Sequence, residues 1–348
     1  MLDIAVAAGF AIGVAFGVIG LLSGFCLTSS LRDWGSNDGR RIRSYALALA
    51  VAIAGTQFLA ASEIVDIGKS LYLQPTFSAP LIFAGGLLFG VGMVLANGCA
   101  SRALVLLGKG NLRSLVVLVI LGIAAQMTLK GLLAPSRLAI IQYTQISPAS
   151  VSAPALLASI GLSDTAARIL ATLIGSGALF AFAFSDRHFR RSAAQIAAGL
   201  AVGLLVTAGW LTTGWLGADE FNPIPVTSLT FIAPVADTLQ YAMLSTGLTL
   251  NFGIAIVLGV LTGSLATSLL TGRFHVEGYA SADHMMRSIS GAALMGIGGA
   301  MAYGCSVGQG LTGLSTLSLS SVIAVAGILT GAAVGLRRRL AVPALVTQ

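Results

Sequence analysis

Two stretches of the chain end on a cysteine preceded by glycine: GVGMVLANGC, closing at Cys99, and GIGGAMAYGC, closing at Cys305. A thiol offers a weak S–H donor and a soft, polarizable sulfur. An apolar helix that stops at Gly-Cys and restarts as a second helix leaves backbone N–H groups unspent at the break. Those groups, with the positive end of the new helix, attract an anion. Beyond Cys99 the run ASRALVLLGKGN suits a short helix closed by Gly108 and Gly110; beyond Cys305 the run SVGQGLTGLSTLS is rich in glycine and small polar residues. Glycine at 98 and 304 permits a sharp turn and a close backbone approach to a ligand. Thiol donors bind weakly, which suits a site that must also release its guest. A neutral S–H donates to an anion, whereas a thiolate would repel it.

The two cysteines are related by a repeat. With an offset of 206, Gly85, Gly90, Gly92 and Gly98 fall on Gly291, Gly296, Gly298 and Gly304. A second pair, AAGFAIG at 7–13 and AAGLAVG at 197–203, aligns with an offset of 190. Internal duplication in an apolar chain is a mark of transporter folds, and it points at the substrate path. The third cysteine, Cys26, follows Gly24 in GLLSGFCLTSS at the end of the first apolar run; its counterpart is Leu216, so it is not duplicated. Candidates for one path are therefore Cys26, Cys99 and Cys305, the glycines Gly24, Gly98 and Gly304, and the polar neighbours Asn97 and Gln309, with Ser101 and Ser306 beside them. Each of these polar residues also has the plainer use of satisfying nearby backbone, and a lone buried cysteine is often only a small hydrophobe. The glycines inside the runs, at 85, 90, 92, 291, 296 and 298, are read as helix-packing contacts. Arg102 is either an anion attractor at the mouth of the path or a topology charge.

The elements that position these residues follow from composition. Of 348 residues 56% are hydrophobic and only 9% charged, and the mean hydropathy is +0.93. Soluble domains carry about 25% charged residues, so this much apolar surface calls for a lipid bilayer as solvent. The expected fold is all-α: a polytopic integral membrane protein with nine transmembrane helices at about 4–25, 44–62, 80–97, 114–133, 166–184, 193–212, 252–271, 287–303 and 321–336. The stretches 138–162 and 223–248 hold proline and polar residues and suit short or re-entrant helices. The repeat divides a single membrane domain into a first half, 1–140, a linker, 141–190, with a short helix and one span, and a second half, 191–340. The apolar run beginning near Ile4 lacks a basic leader and a cleavage pattern and is read as the first span.

Several function classes fall away. Three cysteines without a CxxC pair argue against a disulfide framework and a zinc site, His188, His275 and His284 offer no metal geometry, and no cofactor motif is legible. The net charge of +7 does not make a nucleic-acid binder, because no basic domain lies outside the spans. No phosphate-binding loop of the G-x-x-x-x-G-K-[ST] type is present, so the chain is not read as hydrolysing ATP.

Charge sets the orientation. Of the 19 Lys and Arg residues, all but Lys69, Lys130, Arg137 and Arg168 fall in loops around 28–43, 98–113, 185–192 and 272–287 and in the tail with Arg337, Arg338 and Arg339. This places the N-terminus outside and the C-terminus in the cytoplasm. The two halves then enter from opposite faces, as an inverted repeat about an axis in the membrane plane. On that topology Cys305 lies toward the outside, Cys99 near the middle and Cys26 toward the inside. Carboxylates are nearly absent from the spans, with Glu63 at a span end and Asp237 in a re-entrant stretch. A cation or proton path usually needs an intramembrane acid, so an anion is favoured.

The paired Gly-Cys turns, their matched upstream glycines and Cys26 after the first span together resemble the YeeE/YedE sulphur-transport family of bacterial inner-membrane proteins, over essentially the whole chain. The resemblance implies an hourglass of helices with short helices meeting near the membrane centre, and a transporter, not an enzyme, that takes up thiosulfate or a similar soft anion. It implies that Cys26, Cys99 and Cys305 pass the anion along through transient S–H···S hydrogen bonds. It also implies a cytosolic TusA-like sulphur-carrier protein as partner, and no such soluble domain is legible in this sequence. Other sulphur or selenium anions stay open as substrates. So do two other functions: a membrane thiol–disulfide relay, which needs a resolving cysteine, and a scaffold that recruits a sulphur carrier through its basic loops.

Overall fold

Long Ala-, Leu-, Val- and Gly-rich runs satisfy their backbone hydrogen bonds within lipid only as helices, and helices are what they form. A computed structural model describes residues 2–217, 224–279 and 281–337. In chain order the helices are α1 (Leu2–Ser23), α2 (Leu27–Gly35), α3 (Arg40–Ala61), α4 (Ala79–Leu95), α5 (Ala100–Gly108), α6 (Leu112–Leu129), α7 (Ala134–Thr144), α8 (Ala153–Ser159), α9 (Asp164–Phe184), α10 (Arg187–Arg190), α11 (Ala193–Leu211), α12 (Ile232–Met243), α13 (Phe252–Leu270), α14 (Ala282–Met301) and α15 (Leu319–Arg337). Two π-helical turns, Thr212–Leu216 and Gly308–Gly313, extend α11 and precede α15. Arg338, Arg339 and the C-terminus, on which part of the topology reading rests, lie outside the described residues, as do residue 223 of the 223–248 stretch and the last three residues of the 191–340 half.

Among the described residues eight segments are long and apolar enough to cross a membrane: α1 continuing into α2, α3, α4 continuing into α5, α6, α9, α11 with its π turn, α13 and α15. The ninth expected span, 287–303, is α14. Its 20 residues reach about 30 Å, the thickness of the apolar layer, but Asp283 and Arg287 in its first turns lower its hydropathy. The rest of α14 is enclosed by α4 and α6, where polar residues and glycine are tolerated. The stretch 138–162 becomes the exposed helices α7 and α8, and residues 232–243 of the other irregular stretch become the short helix α12, buried over its first turns.

The helices pair across the two halves. Helix α1 lies on α13 and α11 on α3; α4 lies on α15 and α14 on α6. Exchanging α1 with α11, α3 with α13, α4 with α14 and α6 with α15 carries each of these contacts onto another. Helices α4 and α14 cross backbone to backbone through the repeated glycines. A Cβ on Gly85 would stand 2.7 Å from the Gly298 carbonyl oxygen and from the Ala302 nitrogen; one on Gly298 would stand 2.5 Å from the Gly85 carbonyl oxygen. Gly92 and Gly291 meet in the same reciprocal way, at 2.6 and 2.7 Å. Rising numbers on α4 meet falling numbers on α14, so the two helices run antiparallel. With no hydrophobic drive between helices in lipid, backbone-to-backbone packing of this kind is what holds them. The repeated glycines are therefore packing residues.

Candidate functional site

Helices α4 and α14 end in the same way. The Gly98 nitrogen donates to the Met93 carbonyl and the Gly304 nitrogen to the Gly299 carbonyl, both at 2.9 Å. On α4 the Asn97 nitrogen also donates to the Val94 carbonyl at 3.2 Å, which completes a Schellman-type stop. The left-handed residue that this stop requires is Asn97 (φ 60°) in one copy and Tyr303 (φ 57°) in the other, not the glycine that follows. This corrects the sequence argument for the sharp turns at Gly98 and Gly304. Those two glycines instead leave room for Arg102 and Gln309, whose side chains lie 2.8 and 3.2 Å from where a Cβ would be. At the end of α1, Gly24 does take the left-handed conformation (φ 67°).

After each stop the chain turns at a cysteine and starts a new helix. Cys26 is the N-cap of α2 and Cys99 of α5, each in extended conformation, and neither side chain caps the helix it begins. Cys305 accepts the first helical bond of the following segment, from the Gln309 nitrogen at 2.8 Å, and its sulfur accepts from the Gly308 N–H at 3.3 Å. Three helix N-termini thus carry a thiol at the position where backbone N–H groups are least spent. A fourth N-terminus, that of α12, is capped by Phe231, whose backbone N–H also points at the Cys305 sulfur. In element order α12 follows α11 as α2 follows α1, and phenylalanine stands at its start where α2 has Cys26.

The three thiols are buried, at 3%, 1% and 0% exposure for Cys26, Cys99 and Cys305, and they are brought together. Cys26 and Cys99 face each other within hydrogen-bonding reach. The Ser101 hydroxyl lies 3.2 Å from the Cys99 sulfur. Ser306 stands on the other side of Cys99, and its buried hydroxyl makes no well-directed bond among the described residues. Between the two ends sits a residue the sequence reading missed. The Tyr45 hydroxyl, from the second turn of α3, donates to the Ser306 carbonyl at 2.6 Å. Its ring stacks on Phe25, next to Cys26, with centroids 5.5 Å apart. Tyr45 therefore joins the Cys26 turn to the Cys305 turn. A tyrosine inside the run SYALALAVAIAG was the available signal, because a buried phenol needs a hydrogen-bond partner.

The remaining candidates are arranged as supports. Asn97 accepts from Arg32 at 2.7 Å, which ties α2 to the end of α4. Gln309 turns back: its amide nitrogen donates to the Ala302 carbonyl at 2.6 Å, and its oxygen is buried without a partner among the described residues. The segment after Cys305 is anchored at Ser315, whose hydroxyl accepts from Trp210 at 3.1 Å and from Thr56 at 3.0 Å and donates to the Thr312 carbonyl at 2.7 Å. Behind α5, Glu277 accepts from Asn111 at 2.8 Å and also binds Arg113 and His275. Burial raises the Glu277 carboxyl, but the bonds from His275 and Arg113 outweigh it and hold the group below its ordinary value.

Two cavities approach the thiols from opposite ends. One, of about 500 Å³, is lined by Tyr72, Thr230, Tyr303 and Gly304 and has Lys69 and Asp237 as its charged residues. The other, of about 170 Å³, is lined by Gly24, Phe25, Arg102, Lys109 and Arg273. Among the described residues no group of His, Cys, Asp and Glu has the spacing to hold a metal. What the arrangement offers at the thiols themselves is S–H and N–H donors.

Residues 22–334 match the family model described as sulphur transport. The chain is 25% identical to the thiosulfate transporter TsuA of Escherichia coli K12 over 317 residues, which cover 87% of this chain and 86% of that protein. It is 24% identical to the thiosulfate transporter TsuA of Spirochaeta thermophila over 331 residues, 91% and 93% of the two chains.

Proposed function

Because the chain belongs to the sulphur transport family, we propose that it carries thiosulfate, or a closely related sulphur anion, across the bacterial inner membrane, and that Cys26, Cys99 and Cys305 form the track. The observation that carries this reading is the link through Tyr45, whose ring stacks on Phe25 beside Cys26 and whose hydroxyl holds the Ser306 carbonyl beside Cys305, with all three thiols buried. A sulphur-bearing dianion entering from the Tyr72 side meets Cys305 first, then the Ser306 hydroxyl and Cys99, then Cys26. Each step exchanges one weak S–H or N–H donor for another. The acid on this route, Asp237 in the entry cavity, is paired with Lys130 at 3.1 Å, and no single contact is strong enough to trap the guest.

The exchange of helix contacts between the halves supports an inverted repeat, 1–140 against 191–340 with a linker at 141–190. In this orientation the N-terminus is outside and the arginine-rich loops are cytoplasmic. Those loops would receive a TusA-like sulphur-carrier protein. The adjacency of Cys26 and Cys99, both free thiols, favours one alternative, a thiol–disulfide relay. It makes a separate claim: alkylation with and without reductant would reveal a Cys26–Cys99 bridge in the working protein.

The test is uptake by liposomes that contain only the purified chain. Labelled thiosulfate enters, and excess sulfate, which lacks the terminal sulphur, competes poorly. Liposomes that stay empty, or that take up sulfate equally well, would overturn the assignment.

A further inference from the structure

Positive charge is unbalanced on one side of the thiols. Arg102 lies one turn into α5 from Cys99, and its guanidinium donates to the Ser29 hydroxyl at 2.8 Å. Its Nε is buried without a hydrogen-bond partner among the described residues. Arg32, on α2, is held by the neutral Asn97 side chain. The two are brought together on α2: Arg102 holds Ser29, which lies one turn before Arg32 on the same helix. The one carboxylate close by, Asp33, is taken by Arg41 at 2.8 Å. Among the described residues neither Arg32 nor Arg102 is paired with a carboxylate, nor are Lys109 and Arg273, which line the 170 Å³ cavity together with Arg102. Holding two guanidinium groups together, half out of water and without a counter-charge, is costly. A topology charge has no need of that arrangement, since it would sit as well in open solvent. The fold keeps the pair in place by two neutral hydrogen bonds from two different helices, so that their remaining N–H groups stay available.

We propose that Arg102 and Arg32, with Lys109 and Arg273 at the rim, form a second oxyanion site beside Cys26, which holds a tetrahedral dianion through its oxygens and is indifferent to a terminal sulphur. Its place at the end of the thiol track rests on the transport reading, but its ligand chemistry needs no thiol. Guanidinium N–H groups recognise oxyanions by paired, charge-assisted bonds. The thiols therefore select for sulphur and the arginines take the charge. Sulfate binds at this mouth although it is not carried, and the binding weakens as ionic strength rises.

The probe is inorganic sulfate, titrated by calorimetry into the purified full-length chain at low salt. Wild type and Cys99→Ser are expected to bind alike. Arg102→Gln and Arg32→Gln are each expected to weaken binding by about tenfold or more, the scale of a lost hydrogen bond to a charged group, and Arg102→Lys to recover part of the loss. Should Arg102→Gln fail to fold, the rim double variant Lys109→Gln, Arg273→Gln takes its place, with a weakening of about threefold, as for exposed charges. The proposal is overturned if wild type binds no sulfate, if these variants bind like wild type, or if Cys99→Ser abolishes binding. None of these outcomes touches thiosulfate uptake by the thiols, and failed uptake with intact sulfate binding would sink the track and leave this site standing.

Discussion

Replacing Tyr45 by phenylalanine separates its two jobs. The ring stays stacked on Phe25, and only the hydroxyl that donates to the Ser306 carbonyl at 2.6 Å is lost. That carbonyl keeps a second partner, the Gly310 N–H at 3.0 Å, so the penalty for an orphaned buried acceptor does not apply. The cost is therefore the net worth of one buried hydrogen bond, about 1 kcal/mol. For a chain of this size that lowers the apparent melting temperature by about 2–4 °C. If the hydroxyl fixes the start of the Cys305 segment in its working position, the same free energy appears in transport as a fall of about fivefold. Tyr45→Ala also removes the ring that joins the two turns. Truncating a buried aromatic costs about 3–5 kcal/mol, and uptake should be lost at temperatures where Tyr45→Phe still works. The assay is initial-rate thiosulfate uptake in liposomes at matched protein content, with melting followed in detergent. A Tyr45→Phe protein that melts lower but transports at the wild-type rate would refute the positioning role. Wild-type uptake by a folded Tyr45→Ala protein would refute the placement of Tyr45 among the thiols.

The α4–α14 crossing gives a symmetric test: Gly85→Ala and Gly298→Ala should destabilise by similar amounts, about 1–3 kcal/mol each for an overpacked contact, as melting temperatures in detergent will show, and a loss confined to one of the two would contradict the reciprocal packing. Glu277 gives a pH dependence. Its carboxyl is held below the ordinary value in the folded protein, so its contribution is present above the unfolded carboxylate range, about 4.3, and is lost as pH falls through the lowered folded value. Wild-type melting temperature should therefore drop more steeply than that of Glu277→Gln when pH is taken from 5 toward 3, and parallel curves would remove Glu277 as the clasp between the loops around Asn111 and His275.

What could be read without coordinates was whatever repeats. The glycines upstream of Cys99 and Cys305 are spaced for close packing and recur at a fixed offset, so both helix breaks and the short helix α5 were legible. Cys26 was legible as a candidate but not as the start of a helix, because the constant offset pairs it with Leu216, which lies in the π turn after α11 and not at a helix start. Helices buried on all sides show no periodicity to say which residue faces which neighbour. Tyr45 in α3 was hidden for that reason, and so was its contact with a carbonyl 261 residues away. The left-handed positions at Asn97 and Tyr303 were masked by the adjacent glycines, which are the residues usually given that conformation. The span at 287–303 is legible as an apolar run, whereas the charged first turns of α14 that precede and begin it, with Asp283 and Arg287, are not part of that signal.

Uptake of thiosulfate by liposomes carrying Cys26→Ser, Cys99→Ser or Cys305→Ser, beside wild type and at equal reconstitution, asks most directly whether the thiols carry the guest. Serine keeps a donor of similar shape but removes the soft sulphur. If the anion moves from thiol to thiol, each substitution slows entry, Cys99→Ser and Cys305→Ser most strongly, while all three proteins fold and insert. Entry at the wild-type rate through both the Cys99→Ser and Cys305→Ser proteins would mean that the anion crosses by another route.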